Sequence, residues 1–153
     1  MLEHDTVQTL ERLTQVSVQG EQGFSTCARQ AADPELAALL RACARQCHDA
    51  AHELRELTRL VGGDAALSIH APNDALQRSR HGWGAAGAQA EQRDDRAVLA
   101  QCQHAGEVAR AVYGDALAHT LPANVYRLVA AQYQGVLATC QRLNARRQEL
   151  LRH

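Results

Sequence analysis

Two glutamates in this sequence have the chemistry and the spacing of residues that could bind a metal ion inside a helical protein. Glu21 belongs to a series that recurs alternately every three and four positions, the period of a helix face packed against partner helices. Glu107 lies one position from a comparable apolar series. A carboxylate taken into a bundle must be paired, protonated or bound to a metal. The first series comprises Val7, Leu10, Thr14, Ser17, Glu21, Phe24, Ala28 and Ala31.

These positions predict Glu21 and Glu107 as oxygen ligands of a metal ion. The structural alternative is an ion pair for each, Glu21 with an arginine and Glu107 with Arg110, three residues further along the same helix. The hydroxyls of Tyr113 and Tyr133 offer another alternative. They could bond to buried carboxylates and satisfy them in a polar layer without any metal.

The cysteines supply a second set of candidate ligands. Cys43 and Cys47 are four residues apart, so both thiols project from one face of a helix. Thiolates select zinc or Cu(I), and Glu21 or His48 could complete the coordination shell, with Cys140 as a further soft ligand. The alternative is that these cysteines are small apolar core residues, which is a common use of Cys.

Four long helices must position these side chains. Asp33-Pro34-Glu35 has the residues of a helix start, with Asp33 as N-cap and Pro34 at the first helical position. The sequence predicts helices over about residues 5–32, 34–61 and 94–119, and a fourth that follows Thr120-Leu121-Pro122-Ala123 and runs to the end of the chain. Residues 62–93, rich in glycine and containing Trp83, form a long crossover with room for a short helix near 74–81.

Two short turns and one long crossover fold these helices into two antiparallel hairpins. The expected fold is therefore an all-α, ferritin-like four-helix bundle with its crossover between helices 2 and 3, in one domain over residues 1–153. Counting along the hairpins puts Glu21 level with the Cys43–Cys47 turn, and Cys102 level with Cys140. If the crossover spans the bundle, Glu21 and Glu107 face each other mid-bundle, each roughly 18 Å from one end.

An ordered set of short motifs supports this fold by resemblance. They are Gly20-Glu21-Gln22-Gly23-Phe24, Asp33-Pro34-Glu35-Leu36, Leu60-Val61-Gly62-Gly63-Asp64, His81-Gly82-Trp83, Gly106-Glu107 followed by Tyr113, and Leu121-Pro122 followed by Gln132-Tyr133-Gln134-Gly135-Val136. Together they resemble a bacterial family of ferritin-like four-helix proteins of unknown function. The resemblance covers nearly the whole chain, and it implies the ferritin-like fold and a bacterial source.

The sequence nevertheless departs from the ligand pattern of a complete di-iron site. Such sites take a Glu from each of two helices and a Glu-x-x-His from each of the other two, and this chain contains no Glu-x-x-His. Where helix 4 of the family often carries a histidine, this chain has Cys140. The expected site is therefore a degenerate one that binds a transition metal such as iron, zinc or copper.

Composition excludes several other functions. The chain has no lysine, which removes Schiff-base chemistry, and its net charge of -1 argues against nucleic-acid binding. No apolar run could cross a membrane, and the N-terminus lacks the features of a signal peptide, so we expect a cytoplasmic protein with reduced thiols. A stripe around Leu13 and Val16, expected on the surface, suggests a homodimer.

Three functions follow as hypotheses. The first is a metal-binding protein, more a binder than an enzyme, with Glu21 and Glu107 as ligands. The second is a non-catalytic structural or stress-associated bundle, whose inherited site has become a hydrogen-bonded polar layer. The third is a thiol-based Cu(I)- or zinc-binding or redox protein.

Overall fold

A computed structural model describes the backbone of residues 2–62 and 94–152 and the side chains of residues 5–62 and 94–152. These residues form helices without any strand: α1 (Leu2–Gln30), α2 (Pro34–Val61), α3 (Asp95–Ala118) and α4 (Ala123–Arg152). The four predicted helices are therefore confirmed, with ends that agree to within three residues. Most of the predicted crossover, with Trp83 and the short helix near 74–81, lies outside the described residues.

Local signals in the sequence explain where α2 begins and ends. The Asp33 side chain accepts a hydrogen bond of 3.2 Å from the backbone N–H of Leu36, and Pro34 opens the helix. An N-cap of this kind contributes about 1 kcal/mol to stability. Gly62 closes the helix in the left-handed region, with φ of 114°, a conformation that glycine adopts without a steric penalty. Both ends fall where the sequence predicts them.

Contacts at the two ends of the bundle fix the helix directions. The Asp95 carboxylate, at the start of α3, accepts hydrogen bonds from the backbone N–H groups of Ala32 (2.8 Å) and Asp33 (3.1 Å) in the α1–α2 turn. At the opposite end, Arg12 of α1 lies 3.3 Å from Asp115 of α3. Because α1 runs antiparallel to both α2 and α3, the chain between α2 and α3 connects opposite ends of the bundle.

Arg146, near the end of α4, joins this helix to the α1–α2 turn. Its guanidinium group pairs with the carboxylate of Asp33, and it also lies 2.7 Å from Glu149 and 3.4 Å from Glu35. The Arg146 side chain is only 20% exposed. With Asp95 bound to the same turn, one end of the bundle is thus held by charge-assisted hydrogen bonds from α3 and α4.

The apolar core consists of two clusters, one towards each end of the bundle. The cluster nearer the α1–α2 turn contains Phe24, Cys27, Ala28, Leu36, Leu40, Cys43, Ala44, Val98, Leu99, Cys102, Ala105 and Leu143. The cluster at the other end contains Leu10, Leu13, Leu54, Leu57, Tyr113, Ala116, Val125 and Val129. The middle of the bundle lies between them.

The burial of Leu13 contradicts one prediction from the sequence. The sequence suggested a surface stripe around Leu13 and Val16, but Leu13 is fully buried in the core and Val16 is half-buried. Because α1 packs against both α2 and α3, it buries a wider face than a single seam requires. This stripe therefore gives no support to a homodimer. Among the described helices, none is both long and apolar enough to span a membrane.

Candidate functional site: the middle of the bundle

Gly20, the residue before Glu21, lies tightly against Cys47 of α2. A Cβ atom built on Gly20 would lie 2.7 Å from the Cys47 Sγ atom, closer than two such atoms can approach. Glu21, one position further round, lies at the edge of the interface with its side chain 39% exposed. There one carboxylate oxygen is 3.2 Å from Nδ1 of His48, whose side chain is 64% exposed.

The second hairpin repeats this arrangement with Gly106 and Glu107. A Cβ atom on Gly106 would lie 3.1 Å from the Cys140 Sγ atom, so Cys140 is level with Gly106 and not, as counted from the sequence, with Cys102. The Glu107 side chain is 63% exposed and lies 3.8 Å from Arg110 on the same helix. This pairing with Arg110 is the structural alternative considered for Glu107 from the sequence.

The thiols are held in their neutral form by their surroundings. Burial raises the pKa of Cys43 to about 11 and that of Cys47 to about 12. A hydrogen bond with Cys27, together with burial, raises the pKa of Cys102, and burial also raises the pKa of Cys140. All five cysteines are free thiols, and the raised pKa values of Cys43, Cys47, Cys102 and Cys140 favour the protonated form at neutral pH, which agrees with a use as core residues.

The donors of a di-iron site do not come together. Within residues 5–62 and 94–152, no three His, Cys, Asp or Glu side chains form a group that could hold a metal ion. Glu21 and His48 form one pair on the first hairpin, with Cys47 beside His48, and Glu107 lies on the second hairpin near Cys140. The described residues thus do not fit the di-iron centre that a ferritin-like fold would suggest.

A hydrogen-bonded network of mainly neutral groups, and not the expected pair of carboxylates, connects the helices near the middle of the bundle. The Tyr113 hydroxyl donates to Oε1 of Gln132 (2.8 Å) and lies 3.4 Å from the Ser17 hydroxyl. Nε2 of Gln132 in turn donates to the backbone carbonyl of Ala50 (3.3 Å) and to Oε1 of Glu53 (3.1 Å). One connected network therefore joins α1, α3, α4 and α2.

Part of this network was visible in the sequence, whereas Glu53 was not. Ser17 belongs to the series with helical spacing on α1, Gln132 belongs to a motif of the family resemblance, and an alternative for the Tyr113 hydroxyl was a bond to a buried carboxylate. Its acceptor is instead the neutral amide of Gln132, and the one carboxylate in the network, Glu53, is exposed. Burial raises the pKa of Tyr113 to about 12, so its hydroxyl keeps its proton at neutral pH.

A cavity of about 910 Å³ occupies the middle of the bundle, beside this network. All four helices contribute to its wall, and apolar side chains make up most of it. Small residues, including Gly20, Ala50, Ala109 and Gly135, make room for it. The larger apolar residues that line it are Val16, Phe24, Val108, Val112, Leu128 and Val136.

Charged side chains lie only at the exposed parts of the cavity wall. Arg12, Arg45, Asp49, Glu53 and His104 line it, and each of them is exposed to solvent. The buried polar side chains of the wall are neutral: Ser17, Gln19, Tyr113 and Thr139. The interior of the cavity therefore offers hydrogen bonds but no charge.

The fold and this cavity define an all-α, four-helix protein with a ligand-sized space between its helices. The chain belongs to the family described as a domain of unknown function, DUF2383, whose family profile matches residues 5–119. The predicted membership of a family of unknown function is thus confirmed. The match ends just before α4, so Ser17, Glu53 and Tyr113 lie within it and Gln132 lies beyond it. No curated protein matches the chain.

Proposed function

We propose that this chain is a ferritin-like bundle that binds a small molecule in its central cavity. The observation that carries the proposal is the cavity of about 910 Å³, which has walls from all four helices and lies between two packed apolar clusters. Ligand pockets typically measure about 300–1,000 Å³, are mostly apolar, and contain a few polar groups that orient the ligand. Spaces between the helices of a bundle are among their usual locations.

The helix directions support the ferritin-like part of the proposal. Two antiparallel hairpins joined by one connection between opposite ends is the arrangement of ferritin-like bundles, which have a single long crossover. The resemblance of the sequence to ferritin-like bacterial proteins points the same way, and it also supports a bacterial source.

Binding is favoured over catalysis because none of the buried side chains that the described residues contribute to the cavity wall ionises near neutral pH. The thiols and the Tyr113 hydroxyl that line it are protonated at neutral pH, and its carboxylates and its histidine are exposed. General acid–base catalysis needs a side chain whose pKa lies near the working pH and which is within reach of the reacting atoms.

Nile red, an uncharged fluorescent probe of apolar sites, tests the proposal. We expect saturable binding to the purified protein and weaker binding to Val136→Trp, because the indole ring projects into the cavity and narrows it. Tyr126→Trp is the matched control: it lies on the same helix, is 49% exposed and does not line the cavity. Ala109→Leu provides a second, milder filling variant, and circular dichroism shows that each variant remains helical. Absence of saturable binding to the parent protein would refute the proposal.

A metal ion at Glu21 and His48 is the second candidate function. These residues lie 3.2 Å apart on facing helices, and both are accessible to an ion from solvent. Cys47, with Cys43 one turn away, does not group with these two side chains in the structure and would have to move towards them to supply a soft ligand for zinc or copper. Glu107 and Cys140 are the corresponding candidates on the second hairpin.

Elemental analysis of protein purified without a His-tag or chelator tests this second candidate, beside Glu21→Ala and Cys47→Ala. Near-stoichiometric metal that disappears in Glu21→Ala would support it. Metal lost only in Cys47→Ala would indicate thiolate ligands. A parent protein that stays free of metal after incubation with iron, zinc and copper would refute it.

A further inference from the structure

We infer that the ligand of the central cavity is an uncharged, elongated and mostly apolar molecule with one hydrogen-bonding end, similar to a fatty alcohol. This inference rests on the proposed function and names the chemical class of its ligand. Three properties of the cavity carry it: its charge, its length and the position of its hydrogen-bonding groups.

The distribution of charge on the wall disfavours an ionic group in the buried part of the cavity. Moving an ion into an apolar site is strongly unfavourable unless an opposite charge pairs with it. The buried polar groups of this wall are hydroxyls and an amide, with no cation or anion among them. The exposed ionisable residues include two arginines and two carboxylates, so they favour neither sign: Arg12, Arg45, Asp49 and Glu53.

The length of the cavity favours an elongated molecule. Its wall on α1 extends from Arg12 to Phe24, and its wall on α4 extends from Leu128 to Thr139. At 1.5 Å per residue, the α1 wall is roughly 18 Å long, parallel to the bundle axis. A chain-like ligand can lie along this axis and contact the apolar side chains of all four helices.

The polar network gives the ligand a place for one hydrogen-bonding group. Ser17 and Tyr113 line the cavity, and their hydroxyl oxygens lie 3.4 Å apart. Oε1 of Gln132 accepts a hydrogen bond of 2.8 Å from the Tyr113 hydroxyl. The amide protons of Gln132 are directed to Ala50 and Glu53. A hydroxyl on the ligand, which can both donate and accept, suits Ser17 and Tyr113 better than a group that can only donate or only accept.

Displacement of Nile red by three molecules of equal chain length tests the inference at pH 7: 1-octanol, octanoate and octylammonium. We expect 1-octanol to displace the probe at concentrations at least about tenfold lower than either ion, because burying the ionic group costs free energy. If either ion displaces Nile red as well as 1-octanol does, the assigned ligand class is wrong. The proposed function then still stands, provided that Nile red binds the parent protein and that Val136→Trp weakens this binding.

Ser17→Ala and Tyr113→Phe test the position of the polar end. Each variant should reduce the preference of the cavity for 1-octanol over heptane, whereas a purely structural role would change binding of both molecules alike. An unchanged preference in both variants would overturn the assignment of the polar end to this network. If Nile red has no saturable site on the parent protein, the proposed function itself fails.

Discussion

The hydroxyl of Tyr113 on α3 donates a 2.8 Å hydrogen bond to the side-chain carbonyl of Gln132 on α4. This bond lies within the second hairpin, and its two residues also reach the first hairpin through Ser17 and Ala50. Tyr113 is only 2% exposed and Gln132 is half-buried, so the bond is partly shielded from water. The pair therefore couples the two halves of the bundle at the layer where the apolar core is interrupted.

Tyr113→Phe should destabilise the fold by about 1–2 kcal/mol, because it leaves the half-buried side-chain carbonyl of Gln132 without its donor. Urea unfolding followed by circular dichroism measures the change, and Tyr126→Phe, at a 49% exposed position, should change stability by less than about 0.5 kcal/mol. The double variant Tyr113→Phe/Gln132→Leu should recover part of the loss, since neither polar group then remains unpaired. A Tyr113→Phe protein as stable as the parent would contradict the role of the network.

Gly20→Ala should destabilise the protein by about 1 kcal/mol or more, although alanine is the better helix former. The new methyl group would lie 2.7 Å from the Cys47 sulfur, so α1 and α2 must move apart or the thiol must rotate. Gly114→Ala is the matched control, because its Cβ would meet the Tyr133 hydroxyl at an ordinary 4.0 Å. It should stabilise the protein by about 0.5–1 kcal/mol.

The combination Gly20→Ala/Cys47→Ala identifies the cause of this effect. Removing the sulfur should make Gly20→Ala much less harmful than it is in the parent background, a coupling that urea unfolding of the four proteins measures. Equal costs in both backgrounds would show that close approach to Cys47 does not determine the choice of glycine.

Gly20 and its neighbour Glu21 show how far the sequence could predict the site. Helix bounds follow from local chemistry: Asp33-Pro34 and Gly62 act on their own neighbours, so their effects are visible in the sequence. The rotation of α1 depends on what faces it. A series through Glu21 and one through Gly20 have the same spacing, and glycine, with no side chain, adds nothing to a hydrophobic pattern.

Which residues of α3 and α4 lie opposite each other was also harder to predict than the bounds of the two helices. Counting from the turn placed Cys102 opposite Cys140, whereas Gly106 occupies that place, a difference of about one helical turn. The residues between α3 and α4 are not helical, and His119 at the end of α3 is extended. Their conformation sets the offset between the helices, so symmetric counting about the turn does not give it.

Arg146→Ala should cost about 1–3 kcal/mol, because it removes charge-assisted hydrogen bonds to Asp33 and Glu149 at a side chain that is only 20% exposed. Its neighbour Arg147 provides the control. Arg147 is exposed and bonds to Gln103 at 3.0 Å, so Arg147→Ala should cost less than about 0.5 kcal/mol. Thermal unfolding of both variants measures the difference, and similar losses would argue against an end of the bundle held by Arg146.

Stability should fall as the pH rises from about 9 towards 12, because the thiols ionise more easily in the unfolded chain. Cys47 titrates near 12 in the folded protein and Cys43 near 11, against an ordinary pKa of 9.0. Between these values the unfolded state binds fewer protons than the folded state, so each such thiol lowers the free energy of unfolding by up to about 1.4 kcal/mol per pH unit. Below about pH 8 both states keep the thiol protons, and this contribution is constant.

Urea unfolding at a series of pH values should therefore give a shallower alkaline slope for Cys47→Ala than for the parent. A slope that does not change would mean that Cys47 ionises as readily in the folded protein as in the unfolded chain, which would revive its candidacy as a thiolate ligand.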